Sequence, residues 1–116
     1  MSTAVMSMDA TMRRLAVLSR VPEAPGWVDE VATHWDVNGE RAVMWRSTLR
    51  GEHGMSVDVE QALIQPADAP VEISHATAAL NHECDRTAAE TMALSDVLAR
   101  VPRLLVAADL AVVRLT

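Results

Sequence analysis

The dipeptide Asn38-Gly39 sits between two stretches in which apolar and polar residues alternate, and it constrains the fold more than any other feature. Both residues tolerate φ > 0, so the pair predicts a two-residue type I′ turn joining residues 31–37 to residues 40–49. That turn sets Asp36 opposite Arg41, Ala32 opposite Trp45 and His34 beside Val43. A second turn at residues 50–54 leads into a third strand over residues 55–64. Pairing Trp45 with Val59, Ser47 with Val57 and Arg46 with Asp58 makes the two hairpins agree about faces. Val43, Trp45, Leu49, Met55, Val57, Val59 and Leu63 then share one face, and Ala42, Met44, Arg46, Asp58 and Glu60 share the other.

A fourth short strand is expected over residues 71–75, after the loop at 65–70. Beyond it the pattern turns helical. Thr87-Ala88-Ala89-Glu90 has capping-box spacing, in which hydroxyl and carboxylate each satisfy a backbone N–H left open at a helix start. Leu94, Leu98, Val101, Leu105, Ala108 and Val112 follow at helical spacing. Pro102 interrupts that stripe, so the helix is expected to kink or to split there, and residues 111–115 fit a helix or a terminal strand. Upstream, Asp9 is a fitting N-cap for a short helix running to about Arg20. Val21-Pro22-Glu23-Ala24-Pro25-Gly26 then enforces an extended connector, to which Trp27 adds an anchor on the body. The expected architecture is α+β: an antiparallel meander of about four strands, one face covered by a C-terminal helix, plus a short N-terminal helix. Residues 1–20 form an arm, 21–26 the connector and 27–116 a single domain.

At 116 residues, half of them apolar, the chain can bury one core but not two. No apolar run reaches the roughly 18 residues that a membrane-spanning helix needs, because Asp109 ends the best candidate. The apolar stretch after Arg13-Arg14 is too short for a secretory leader, which points to the cytoplasm. Cys84 is the sole cysteine, so no disulfide forms within one chain. All ten basic residues are arginine, a bias expected of a GC-rich genome. The net charge is −6, and residues 21–99 carry fourteen acids against four arginines. A phosphate backbone would be repelled by that middle, which disfavours nucleic acid as a partner, and an anionic membrane is disfavoured for the same reason.

Catalytic signatures are missing: no Gly-x-Ser-x-Gly, no phosphate-binding glycine loop and no His-Glu-x-x-His. Ser74 and His75 are adjacent and so point to opposite faces of a strand, which prevents a direct nucleophile–base pair. The reading is therefore of a protein that is not an enzyme and needs no cofactor. The alternative is a zinc-binding regulator built on His75, His82 and Cys84, residue types that suit zinc but lack a recognised ligand spacing.

Tryptophan is the only aromatic residue. Trp45 falls on the core face. Trp35 falls on the other with Val37 and Met44, an apolar patch that needs a cover. The methionine-rich arm, with Met6, Met8 and Met12, would supply that cover in cis. In trans, the patch would be a homodimer seam or a docking site for another protein, since Trp and Met are enriched in interface cores.

The order of features resembles an uncharacterised family of small proteins from actinobacteria and their phages. The residues that carry the resemblance are Trp27 and His34, Trp45-Arg46, Val57-Asp58-Val59-Glu60-Gln61, and Thr87-Ala88-Ala89-Glu90 through Ala107-Ala108-Asp109-Leu110-Ala111. It spans residues 27–111 and departs at Val28, where family members often carry cysteine. The resemblance implies an actinobacterial or phage origin. It implies no activity and no catalytic residue.

Overall fold

The computed structural model describes residues 20–80 and 85–114. Three strands form a meander: β1 (Glu30–Trp35), β2 (Arg41–Arg50) and β3 (Ser56–Gln65). Two shorter strands, β4 (Glu72–Ile73) and β5 (Thr77–Leu80), both pair antiparallel with β3 on its far side. Two helices follow, α1 (Ala88–Leu98) and α2 (Val101–Arg114), and the α+β architecture is as expected. The expected N-terminal helix lies outside the described residues.

The β2–β3 faces agree with the sequence pattern, although the register differs. Trp45 opposes Gln61, Arg46 opposes Glu60 and Ser47 opposes Val59. The connecting loop runs from Gly51 to Met55 and contains a 3-10 turn, with Gly51 N–H donating to the Met55 carbonyl at 2.8 Å. This moves the pairing by an even step, so every side chain keeps its face. Val43, Trp45, Met55, Val57, Val59 and Leu63 are buried together on the helix side.

The first hairpin differs by an odd step, and there the faces change. Trp35 opposes Arg41, His34 opposes Ala42 and Ala32 opposes Met44. Gly39 has φ +82°, but Asn38 does not have positive φ, so the turn is not type I′. The Asp36 carboxylate accepts the Asn38 N–H, and the Gly39 N–H closes the turn on the Asp36 carbonyl at 3.2 Å. The turn thus begins one residue earlier, leaving a three-residue loop with glycine in the left-handed position. Val37 leaves the strand for the loop tip, and Trp35 moves to the helix-side face.

The fourth strand is broken by one extra residue. Leu63 opposes Ile73 and Glu60 opposes Thr77, so three steps along β3 match four along its neighbour. That is a β-bulge, with His75 and Ala76 facing Gln61. The helical half is split, not kinked, at Ala99–Arg100. Pro102 lies in the first turn of α2, where its missing N–H costs no intrahelical bond. Residues 111–114 are helical. Thr87 caps α1 with the expected reciprocal box.

The helices cover β3 and β5 and leave β1 bare. One core cluster joins Met55, Val57 and Val59 to Ala93, Leu94, Val97 and Val101. The other joins Val43, Trp45 and Leu63 to Val112. Val21 and Ala24 pack on this second cluster, and Trp27 packs on both, so the connector is bound to the body as expected. All six residues of β1 are exposed.

Candidate functional site

Two places in the described residues hold groups that packing alone does not explain: the bare side of the sheet at β1, and a polar cluster at the bulge.

The bare face reads as three rows crossing β1, β2 and β3. Glu30, Arg46 and Glu60 form a charged row, with Arg46 nitrogens 3.5 Å from Glu30 and 3.6 Å from Glu60. Next to it run Ala32–Met44–Ala62 and then His34–Ala42–Ile64. These two rows line a shallow groove of about 310 Å³. Ala32, Ala42, Met44, Ala62 and Ile64 give a flat, mainly apolar strip that also carries His34. The Glu30–Arg46–Glu60 row borders one side, Asp36 and Glu40 follow on the other, and Glu72 stands beside Ile64.

Trp35 is not part of that strip. The odd register step puts it opposite Arg41, on the same face as Val43 and Trp45, while Met44 lies on the other face. Val37 is fully exposed at the loop tip. The expected Trp35–Val37–Met44 patch therefore does not exist as one surface. Trp35 is 65% exposed, because neither helix reaches the end of β1, and the Arg41 guanidinium lies 5.8 Å from the centre of its ring. Met6, Met8 and Met12 lie outside the described residues.

β1 is also the sheet edge. Asp36 N–H donates to the Glu40 carbonyl at 2.9 Å, which continues the alternation by which even-numbered residues bond to β2. The N–H and C=O of Val31, Thr33 and Trp35 therefore point away from the sheet. Sheet edges are normally guarded by lysine, proline or an unpaired charge. β1 has no lysine or proline, and its one charged residue, Glu30, is paired with Arg46.

The second place is the bulge. Asp109, on α2, accepts the Ala76 N–H at 2.9 Å and the Gln61 side-chain amide at 3.4 Å. Its other oxygen lies 3.1 Å from Nδ1 of His75. The bulge takes Ala76 N–H out of the ladder, and the carboxylate receives it. Gln61 is 1% exposed and also donates to the Ser74 carbonyl at 3.0 Å. A carboxylate can only accept, so it selects the imidazole tautomer with its proton on Nδ1. Catalytic histidines are oriented in this way. The adjacent Ser74 hydroxyl, however, accepts the Ala62 N–H at 2.9 Å and donates to the His75 carbonyl at 3.1 Å. It is directed at backbone, not at the imidazole.

Sequence reasoning placed Asp109 at the end of an apolar run and His75 at the end of a strand, and did not connect them. A lone Asp in that run was the available signal, since a carboxylate on the inner face of a helix needs donors opposite it. His82 and Cys84, the other two residues of the zinc alternative, lie outside the described residues. Among the described residues no three His, Cys, Asp or Glu side chains are grouped to hold a metal. Among the same residues no helix is long and apolar enough to cross a membrane.

Compared with models of protein families, with curated proteins and with solved structures, the chain matches none.

Proposed function

We propose that this chain acts through protein–protein contact, as a small self-associating accessory protein, and that it catalyses no reaction of its own. The observation that carries the reading is β1, a six-residue edge strand exposed at every position and unguarded by the usual residues. The neighbouring Ala32–Met44–Ala62 and His34–Ala42–Ile64 rows extend the same bare region inward, giving a second surface for a host or partner protein. The polar cluster at the bulge reads as structure: its carboxylate and amide tie an irregular edge strand to α2. An accessory role in an actinobacterium or one of its phages suits the all-arginine composition.

The test is oligomeric state, measured by native mass spectrometry and light scattering on wild type and on Val31→Glu. Val31 is half exposed, so the charge leaves the fold intact. The expected result is a wild-type dimer and a monomeric, normally folded variant. A wild-type protein that stays monomeric at every concentration overturns self-association.

A further inference from the structure

Resting on the self-association reading, we infer that two copies of this chain join edge to edge, β1 against the partner's β1, on a two-fold axis through Thr33. The sheet would then run unbroken across both copies.

The outward N–H and C=O groups belong to Val31, Thr33 and Trp35, the odd positions of the strand. An antiparallel pairing of identical strands about a two-fold axis must be centred on a residue or between residues. Centring it on Thr33 uses all three. Thr33 exchanges two hydrogen bonds with the partner's Thr33, and Val31 and Trp35 each exchange two with the partner's Trp35 and the partner's Val31. No outward group between Val31 and Trp35 is left open, which a pairing displaced by two residues would not achieve.

The side chains agree with this register. Val31 and Trp35 are the exposed large apolar residues of β1, at 50% and 65%. The axis brings each against the other across the seam, an aromatic on a β-branched residue, which is a favourable cross-strand pair. Within one copy Val31 stands beside Trp45, and Trp35 beside Arg41. Across the seam the row becomes Arg41, Trp35, the partner's Val31 and the partner's Trp45, so the bare tryptophan is enclosed between its own guanidinium and apolar neighbours. On the other face Ala32 meets the partner's His34, which extends the apolar rows from one copy to the next. No charged residue lies between Val31 and Trp35. At each end of the seam the register sets Glu30 across from the partner's Asp36, where Glu30 is already paired with Arg46 and the Asp36 carboxylate already accepts the Asn38 N–H. A second copy is the occupant that this strand's own sequence suits, since the apolar–Thr–apolar order at 31, 33 and 35 reads alike in both directions.

The deciding variant is Thr33→Pro. The Thr33 N–H points outward, so proline removes a bond of the seam and none of the β1–β2 ladder. Wild type and variant would be compared by light scattering, and backbone amide exchange would be followed by NMR in the wild type. The expected result is a wild-type dimer whose Val31, Thr33 and Trp35 amides exchange at least about tenfold slower than unpaired edge amides. Thr33→Pro is expected to lose the dimer and keep the far-UV circular dichroism. A dimer in which those three amides exchange freely overturns edge pairing while self-association stands. So does a Thr33→Pro variant that remains a dimer. A wild-type monomer with the three amides protected means that another segment of the same chain occupies the edge, and a monomer with free exchange overturns both readings.

Discussion

His75 Nδ1 lies 3.1 Å from Asp109 Oδ2, joining the edge-strand bulge to α2 across 34 residues of chain. The same carboxylate holds the Ala76 N–H that the bulge removes from the ladder. An irregular strand and a helix are thus fastened through one side chain that is only 13% exposed.

Asp109→Ala is expected to lower stability by about 1–3 kcal/mol, because it strands a buried N–H and removes the acceptor facing Gln61 and His75. Asp109→Asn keeps one oxygen for Ala76 and is expected to lose less. Urea unfolding of the three proteins checks this, and an unchanged midpoint for Asp109→Ala would show that the cluster contributes nothing.

Gly51 fits where a side chain does not. A Cβ there would lie 2.5 Å from Val97 Cγ2 and 3.3 Å from the Ala93 carbonyl oxygen. Val97 is fully buried and β-branched, so it cannot turn aside. Gly51→Ala should cost roughly 1–3 kcal/mol through overpacking. In a double-mutant cycle, Val97→Ala is expected to recover part of that cost, since it removes the clashing methyl. Additive losses would mean the strain lies elsewhere.

Thr87 and Glu90 share a capping box: Glu90 N–H donates to the Thr87 hydroxyl at 3.2 Å and Thr87 N–H to the Glu90 carboxylate at 3.0 Å. The Thr87 backbone N–H, and then its hydroxyl, hold the Glu90 carboxyl below the ordinary glutamate value. A lowered folded pKa means that the carboxylate's support is complete above the ordinary value and is lost as pH falls through the lowered one. Thr87→Ala is expected to cost about 1 kcal/mol at neutral pH. An NMR titration should show the Glu90 midpoint moving up in that variant, and an unmoved midpoint contradicts the box.

Neighbouring residues on β2 should respond in opposite ways to the same charge. Val43→Glu places a carboxylate in the core beside Leu63 and Val112 and is expected to prevent folding at ordinary temperature. Met44→Glu places it on the bare face and should cost about 1 kcal/mol or less. Thermal melts of the pair decide, and a Met44→Glu variant that unfolds would make that face ordinary core.

The faces of β2 and β3 were legible in the residues because their alternation is strong and any even displacement preserves it. Residues 88–98 and the Thr87 cap were legible for a similar reason: the signals are local and complete within one turn of helix. Trp35 was misplaced. The Asn38-Gly39 signal suits two turns one residue apart, and the structure takes the three-residue form, with the Gly39 N–H on the Asp36 carbonyl. A single step then reversed every side chain of β1 and dissolved the Trp35–Val37–Met44 patch. The His75–Asp109 pair was equally hidden, since neither residue has a nearby partner in sequence.

By itself the sequence determined which residues alternate, where a helix must begin, and that Pro102 could not lie deep inside one. These follow from backbone sterics and hydrogen bonding over a few residues, which travel with the chain whatever it packs against. Only the tertiary structure decided the register of β1, the extra residue at the bulge, and which strand the helices leave bare. Each of those depends on groups distant in sequence competing for the same hydrogen-bond partner or the same buried surface.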